Sequence, residues 1–265
     1  MNAMTPSSLD IIQIPVLRDN YVYLLHDQAT GSTAVVDPAV KEPVLSVLSE
    51  RGLRLNFILN THYHGDHVGA NVALKAATGC LIIGKAAADE TIPGLDRAVL
   101  EGDLVTLGAS TLKVLEVPGH TRHHIAFWSE AHAAVFVGDT LFALGCGRLL
   151  GGSALALFQS LKKLKDLPPE TDVYCAHEYT QSNGAFALSV DPSNEALKIR
   201  MKSVIEARRH DLPTVPSRLS LECATNPFLR TDDLLIRASL GVLDEVPEED
   251  IFSLLRGMKD TFQVA

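Results

Sequence analysis

Three histidines and one aspartate lie within residues 61–67, whose sequence is Thr-His-Tyr-His-Gly-Asp-His. Residues two apart in an extended chain point to the same side, so His62 and His64 can bind one cation. The glycine turn that follows allows Asp66 and His67 to face a second cation. A surface histidine cluster that binds metal by accident is the alternative, but four potential ligands directly after an apolar run favour a built site. The segment therefore predicts a site for two metals.

The same arrangement, an apolar strand followed by one potential metal ligand, occurs three more times in the chain. Runs rich in valine, leucine and alanine lead to His120, to Asp139 and to His177. Ligands at the ends of separate buried strands are held by a rigid sheet, as a preorganised metal site requires. These three residues are therefore added to the predicted ligand set.

Seven candidate ligands suit two four- or five-coordinate metals when one carboxylate binds both. We expect one metal at His62, His64 and His120, the other at Asp66, His67 and His177, and Asp139 on both. Metals ~3.5–4 Å apart can hold a hydroxide between them and polarise a carbonyl group. No Gly-x-Ser-x-Gly motif offers a serine nucleophile, so the pattern predicts hydrolysis by a metal-bridging hydroxide, oriented by Asp66 or Asp139.

Composition narrows the range of partners. The 265-residue chain has 23 basic and 32 acidic residues, a net charge of −9, and no basic run that could follow a phosphate backbone. Nucleic acid is therefore not an expected partner. The longest apolar runs are far shorter than the ~20 residues of a membrane helix, so no membrane association is expected either.

Cysteine spacing and the amino terminus bear on the compartment. The four cysteines are widely spaced and form no Cys-x-x-Cys pair, which is typical of reduced thiols. Residues 1–8 lack the basic and apolar regions of a signal peptide, so we expect a cytoplasmic protein. The sequence does not set the oligomeric state, and a monomer is the working expectation.

The elements that must position the ligands alternate between strands and helices up to residue 180. Segments between residues 9 and 37 predict consecutive antiparallel strands, and residues 55–60 predict a strand that leads to the histidines. Helical spacing and end signals predict helices at residues 44–51, 68–77 and 154–167. The sequence thus predicts an α/β catalytic domain at residues 1–180.

After Tyr179 the pattern is helical, with helices predicted at residues 194–210, 232–240 and 248–262 and proline-containing stretches between them. We expect a helical domain at residues 181–265. Arg256 and Lys259 are three residues apart in its last helix and share one face. On the residues alone, a solvated basic face is the ordinary interpretation of this pair.

Longer motifs resemble a known family. Residues 61–67 match the Thr-His-x-His-x-Asp-His signature of the metallo-β-lactamase superfamily, and within it the chain resembles the hydroxyacylglutathione hydrolases, also called glyoxalase II. Further matching segments lie at residues 19–21, 117–121, 138–142, 145–148, 176–180, 226–230 and 259–262. The resemblance implies a four-layer αββα sandwich with a C-terminal α-helical appendage that helps to bind glutathione.

The resemblance also implies an activity. The expected reaction is hydrolysis of the thioester of an S-(2-hydroxyacyl)glutathione, S-lactoylglutathione above all, a step of methylglyoxal detoxification. By the resemblance, the glutathione contacts are Arg148, Tyr179, Arg256 and Lys259. Two divalent metals per chain are expected, zinc first, with iron and manganese as alternatives because imidazole and carboxylate suit all three.

Two departures from the family pattern leave alternatives open. Leu149-Leu150 stands where the family usually has Phe-Tyr, which removes a hydroxyl contact worth ~0.5–1.5 kcal/mol. His123 stands where the family usually has glycine, and we expect its side chain to point away from the metals. The alternatives are a hydrolase of another ester, thioester or lactone, a mononuclear iron dioxygenase acting on a glutathione persulfide, and a non-catalytic binding module.

Overall fold

A computed structural model describes residues 8–263, so the first seven residues, on which the targeting expectation rests, lie outside the described part. The chain forms two compact units. The first unit comprises Met1–Glu116 and His123–Gly138, and the second comprises Val117–Arg122 and Asp139–Ala265. This division reflects internal contacts, and the boundary at residues 180 and 181 between catalytic and substrate-binding parts stays a prediction.

A six-stranded mixed sheet forms one layer of the first unit. Its strands, in sheet order, are β1 (Leu9–Val16), β2 (Asn20–Asp27), β3 (Ser32–Val36), β4 (Phe57–Leu59), β5 (Leu81–Gly84) and β6 (Arg97–Ala98). The first three pair antiparallel, as predicted, while β3 to β6 run parallel. Strand β2 is buried on both faces, which explains its unbroken apolar run.

A second, antiparallel layer of the first unit consists of β7 (Leu104–Leu107), β8 (Ser110–Glu116), β9 (Ile125–Ser129) and β10 (Ala134–Gly138). Its strands pair in the order β10-β9-β8-β7. The two layers pack face to face, since the rings of Tyr23 and Phe136 lie 5.7 Å apart. Ser110 also donates a hydrogen bond of 2.7 Å to the buried carboxylate of Asp27.

Helices cover the outer face of the mixed sheet. They are α1 (Lys41–Arg51), α2 (Gly65–Val68) and α3 (Asn71–Thr78). Val44, Leu48 and Leu74 join the sheet side chains in one apolar core. The helix predicted at residues 68–77 is present as α3 but begins later, at Asn71, because residues 69 and 70 form a turn in which the N–H of Ala70 donates to the carbonyl oxygen of Pro38 at 3.0 Å.

The second unit contains two short strand pairs and six helices among the described residues. The strands are β11 (Leu141–Phe142) with β12 (Gly145–Cys146), and β13 (Asp172–Cys175) with β14 (Ser217–Arg218). The helices are α4 (Ala154–Lys165), α5 (Thr180–Val190), α6 (Glu195–Arg209), α7 (Leu219–Thr225), α8 (Leu234–Leu240) and α9 (Glu248–Thr261). The predicted strands before His120, Asp139 and His177 are confirmed, since β8, β10 and β13 end just before them.

Two helices after residue 179 were not predicted, α5 and α7. Helix α5 contains Gly184 and several polar residues, which lower helix propensity. It packs so closely on α6 that a Cβ at Gly184 would overlap the sulfur of Met201, so tertiary packing stabilises it. In residues 8–263, no helix combines the length and the apolar character needed to cross a membrane.

Candidate active site

The loop after β4 brings the first two histidines of the motif face to face. Nε2 of His62 lies 3.1 Å from Nδ1 of His64, and His62 is buried. Two nitrogen atoms bound at about 2.05 Å to one tetrahedral cation are about 3.3 Å apart. The spacing of the two rings therefore suits two ligands of one cation.

A buried aspartate directly after β3, Asp37, orients the rings of His67 and, through Thr61, His62. Its carboxylate accepts hydrogen bonds from the backbone N–H of Thr61 at 2.8 Å and from the Thr61 hydroxyl at 2.6 Å. Nδ1 of His67 lies 3.0 Å from the same carboxylate, and Nδ1 of His62 lies 3.0 Å from Oγ1 of Thr61. When both rings donate through Nδ1–H, each Nε2 keeps its lone pair for a cation.

Asp37 was not selected from the sequence. Together with His62 and His67 it offers donor atoms within 4.8 Å of one another. The two hydrogen bonds from Thr61 and the approach of His67 occupy both of its oxygen atoms, so its role here is to orient other groups. The signal that could have found it is its position, one carboxylate immediately after an apolar strand.

Asp66 lies in the first turn of α2 and completes the first unit's share of the motif. Its Oδ2 accepts a hydrogen bond of 3.0 Å from the side-chain amide of Asn20. Nε2 of His67 lies 3.5 Å from the same oxygen, which is longer than a good hydrogen bond and near the about 3.3 Å expected between two ligands of one cation. Asn20 thus holds Asp66 beside His67.

The neighbouring histidines at positions 123 and 124 have different surroundings. Nε2 of His123 lies 3.2 Å from Oδ1 of Asp89, and its backbone N–H donates to Glu90 at 3.0 Å. His124 is fully buried and stacks on His62, with ring centroids 4.6 Å apart and planes at 21°. His123 is therefore engaged by an acidic loop, while His124, which the sequence did not single out, supports a candidate ligand.

In the second unit, Asp139 lies between two imidazoles. Its Oδ2 is 3.4 Å from Nε2 of His120, and its Oδ1 is 3.4 Å from Nε2 of His177. All three side chains are buried. Both distances exceed that of a good hydrogen bond and match the about 3.3 Å between ligands of one cation. One carboxylate oxygen faces each ring, which is the arrangement that a carboxylate shared by two cations needs.

His120 is oriented by the segment that follows β12. Its Nδ1 donates to the carbonyl oxygen of Arg148 at 2.8 Å, which leaves Nε2 available to a cation. The backbone N–H of Leu150 donates to the carbonyl oxygen of His120 at 2.9 Å. A Cβ at Gly147 would overlap the carbonyl oxygen of Asp139. The segment therefore needs glycine at this position to pass so close to two candidate ligands.

The β11–β12 hairpin that precedes this segment is held by buried polar groups. The side-chain amide of Asn226 donates to the carbonyl oxygens of Phe142 at 3.2 Å and Gly145 at 3.0 Å. Glu222 accepts a hydrogen bond of 2.9 Å from the backbone N–H of Leu144 and forms an ion pair with Arg200. Helices α6 and α7 thus support the loop that carries Asp139 and Arg148.

Arg256 on α9 is buried, with 4% of its surface exposed. Its Nη1 donates to the carbonyl oxygen of Cys146 at 2.9 Å and lies 3.4 Å from that of Gly147. Its Nη2 donates to Asp260 at 2.9 Å. The interpretation of this helix face as simply solvated is therefore wrong for Arg256.

Lys259 is half-buried one turn further along α9 and donates to the carbonyl oxygen of Ser182 at 3.3 Å. Burial lowers the pKa of Lys259, and the positive charges of Arg256 and Arg148 lower it further. Three cations thus act on one another beside one carboxylate, Asp260. A bound anion would relieve their repulsion, so the cluster suits a carboxylate group of a substrate.

Tyr179 contacts a candidate ligand within the second unit. Its ring stacks on that of His177, with centroids 4.7 Å apart and planes at 4°. Phe142 contacts both rings nearly at right angles. Leu150 is 51% exposed and brings no hydroxyl to this region.

The four cysteines are free thiols, three of them buried. Burial raises the pKa of Cys146 to about 11 and that of Cys175 to about 12. The pKa values of Cys80 and Cys223 are also raised, chiefly by burial. None of these thiols is ionised enough near neutral pH to act as a nucleophile.

Comparison with known proteins defines the class. Residues 16–177 match the family model described as the metallo-β-lactamase superfamily, and residues 178–262 match the one described as the hydroxyacylglutathione hydrolase C-terminus. The fold is the metallo-β-lactamase fold with a C-terminal helical region, which confirms the predicted fold class. This fold and the clustered histidine and aspartate side chains indicate a divalent-metal site.

Full-length relatives give the family. A hydroxyacylglutathione hydrolase from Methylococcus capsulatus is 56% identical over 255 residues, which cover 96% of this chain and 99% of that protein. Another from Rhodospirillum rubrum is 50% identical, covering 97% of this chain and all of that protein. The chain therefore belongs to the hydroxyacylglutathione hydrolase family.

Solved structures show similar folds. The structure of ETHE1 from Myxococcus xanthus has a TM-score of 0.64 at 25% identity and covers 95% of this chain and 97% of its own. The protein TTHA1623, solved in a di-iron-bound form, has a TM-score of 0.59 at 29% identity and covers 83% of this chain and all of its own. The B3 metallo-β-lactamase BLEG-1, at 22% identity, is similar in fold alone.

Proposed function

We propose that this chain hydrolyses the thioester of an S-(2-hydroxyacyl)glutathione, with S-lactoylglutathione as the expected substrate, to glutathione and a 2-hydroxy acid. The observation that carries the proposal is the 56% identity, over nearly the full length of both chains, to a protein named hydroxyacylglutathione hydrolase. The match of residues 178–262 to the C-terminal model of that family supports it, because those residues contain helix α9 with Arg256 and Lys259.

We propose that seven ligands hold two divalent cations. His62, His64 and His120 would bind one, Asp66, His67 and His177 the other, and Asp139 both. The ligand spacings within each unit and the two imidazoles facing Asp139 support this partition. The di-iron form of TTHA1623 shows that a related fold holds two metals. We propose zinc, with iron or manganese as alternatives because the donors suit all three.

When bound, such cations lower the pKa of water and polarise a carbonyl group. The protein's own contribution would be orientation. Asp37 and the Arg148 carbonyl fix the imidazole tautomers, and Asp66 and Asp139 are the carboxylates that can orient the attacking water. The leaving group is a thiolate, which needs no dedicated acid, so no further proton donor is assigned.

We propose that Arg148, Tyr179, Arg256 and Lys259 bind the glutathione part. Burial, and after it the repulsion from Arg256 and Arg148, lowers the pKa of Lys259. This repulsion supports an anionic ligand at the cluster, and the glycine carboxylate of glutathione is such a group. We also propose residues 1–180 as the catalytic part and residues 181–265 as the substrate-binding part. The change of family model between residues 177 and 178 supports this division.

The direct test is thiol release from S-lactoylglutathione by purified protein, followed with a thiol-trapping dye, alongside elemental analysis. The proposal predicts two metals per chain and thiol release that stops when a chelator removes them. Release of no thiol with both metals bound would sink the proposal. A single iron per chain with oxygen consumption would support the dioxygenase alternative instead.

Lys259→Ala separates glutathione thioesters from other substrates. We expect a higher KM for S-lactoylglutathione, because one cation that faces the glycine carboxylate is lost. An unchanged KM would favour a hydrolase of another ester, thioester or lactone.

We propose a cytoplasmic monomer. The four cysteines are free thiols, which supports a reducing compartment. One chain supplies every proposed ligand and every proposed substrate contact, so no partner subunit is required. Analytical ultracentrifugation measures the oligomeric state directly.

A further inference from the structure

Arg256 is expected to bind substrate, but its guanidinium contacts the protein's own backbone. Its Nη1 approaches two successive backbone carbonyl oxygens, those of Cys146 at 2.9 Å and Gly147 at 3.4 Å. These residues precede it by about 110 positions in the chain. Asp260 holds the other end of the guanidinium, and the ring of Phe228 lies 5.3 Å from its central carbon. The side chain therefore works as a clamp on the backbone.

The residue that follows the clamped residues 146 and 147 contacts a candidate metal ligand, His120. The next carbonyl along the chain, that of Arg148, accepts the Nδ1–H of His120 at 2.8 Å. The N–H of Leu150 returns a hydrogen bond to the carbonyl oxygen of His120. His120 is thus tied, through its ring and its backbone, to the few residues that Arg256 holds in place.

The clamp is built of groups that cannot easily exchange partners. Burial raises the pKa of the Cys146 thiol to about 11, so the thiol stays neutral and does not compete with the carbonyls for the positive charge. Gly147 has no room for a side chain against Asp139. The guanidinium is itself buried, so water does not compete for its hydrogen bonds.

We propose that Arg256 is a positioning residue for the metal ligand His120, which it orients through the carbonyl groups of residues 146–148. This inference rests on the proposed metal site, and it gives Arg256 a second task besides substrate binding. Arg148 and Lys259 can then supply the charge for the glycine carboxylate. Removal of Arg256 should loosen the metal even when no substrate is present.

The first experiment measures metal affinity without substrate. Metal-free wild-type protein, Arg256→Ala and Lys259→Ala are titrated with zinc in competition with a chromophoric chelator. We expect Arg256→Ala to weaken zinc binding about tenfold, the lower end of the range for groups outside the ligand shell. Lys259→Ala removes a charge from the same helix and should bind zinc at least as tightly as the wild type.

The sign of the effect separates the clamp from simple electrostatics. Loss of a nearby positive charge alone would strengthen the binding of a cation, because like charges repel. Weaker zinc binding in Arg256→Ala is therefore expected only if His120 loses its orientation. An affinity equal to or above that of the wild type would overturn the proposal, and so would equal weakening in Lys259→Ala.

The second experiment uses a thioester that lacks the glycine and has no carboxylate in its place, an S-lactoyl derivative of γ-glutamylcysteine amide. A residue that only binds the carboxylate would lose its effect with this substrate. We expect the lower kcat of Arg256→Ala to persist with it, at saturating zinc. Wild-type kcat for the truncated thioester in Arg256→Ala would contradict a positioning role.

Folding is controlled by far-UV circular dichroism of each variant. If Arg256→Ala does not fold, Arg256→Lys carries the same titration, because it keeps the charge and lacks the planar fork that joins the carbonyl groups, through Nη1, to Asp260, through Nη2. Its zinc affinity should then fall below that of the wild type, and an unchanged affinity would overturn the proposal. The titration needs no substrate. Variants that bind zinc as expected, in a protein that releases no thiol, would therefore refute the proposed function but not the positioning role of Arg256.

Discussion

Asp37→Asn tests how much of the metal site depends on a group outside the predicted ligand set. The carboxylate accepts hydrogen bonds from both the N–H and the hydroxyl of Thr61 and lies 3.0 Å from Nδ1 of His67. An amide has the same shape, but one of its two ends is a donor. If the amide nitrogen faces His67, it donates to Nδ1 and moves the ring proton to Nε2. If it faces Thr61, two N–H groups meet.

Either orientation of the amide has a measurable cost. A group that orients a metal-bound histidine is worth about 10–100-fold in metal affinity, or about 1.4–2.8 kcal/mol. A hydrogen bond to a charged group contributes about 1.5–3 kcal/mol to folding stability. We therefore expect Asp37→Asn to weaken zinc binding by at least about tenfold and to destabilise the metal-free protein by about 1.5–3 kcal/mol.

The assay pairs chelator competition with urea unfolding of the metal-free protein. Asp27→Asn is the matched control, because Asp27 is a fully buried carboxylate of the same unit that accepts hydrogen bonds from Ser110 and Thr30. It should lose comparable stability and keep its zinc affinity. The reasoning is refuted if Asp37→Asn binds zinc as the wild type does, or if both variants lose affinity equally.

Three further predictions concern pH and substrate affinity. The pKa of Lys259 is lowered from 10.5, so its side chain loses its proton at a pH below 10.5. The KM for S-lactoylglutathione, measured from pH 7 to 10, should therefore rise with pH. Lys259→Arg should remove this part of the rise. Burial raises the pKa of Asp27, but its hydrogen bonds outweigh burial and lower the pKa below 3.8. The Asp27 carboxylate therefore stabilises the folded protein fully above about pH 3.8, and this stabilisation is lost as the pH falls. The free energy of unfolding of Asp27→Asn in urea should depend less on pH in this acid range. Leu150→Tyr should lower the KM about 2- to 10-fold through one regained hydrogen bond, and Leu150→Phe, which lacks the hydroxyl, should not.

The position of ligands at strand ends was accessible from the sequence, because an apolar run that stops at a single polar residue is a local pattern. It predicted the placement of His120, Asp139 and His177 after β8, β10 and β13. The same pattern occurs at Asp37, directly after β3. It was passed over because Asp37 precedes a proline and therefore resembles an ordinary turn.

Other features depend on contacts that no local pattern encodes. The turn at residues 69 and 70 is held by the carbonyl oxygen of Pro38, which lies far earlier in the chain. Helix α5 has weak helical propensity and forms against Met201. The burial of Arg256 depends on carbonyls about 110 residues away, so the spacing of Arg256 and Lys259 alone predicts a solvated basic face where the structure has a clamp.

The neutral thiol of Cys146 has a chemical consequence for a thioesterase. Its sulfur lies 3.5 Å from Nη1 of Arg256, inside the cluster proposed to hold glutathione. A thiolate there could take the acyl group from the substrate by exchange and leave the protein acylated. With a pKa of about 11, only about one thiol in ten thousand is ionised at pH 7. Burial thereby protects the protein from acylation by its own substrate.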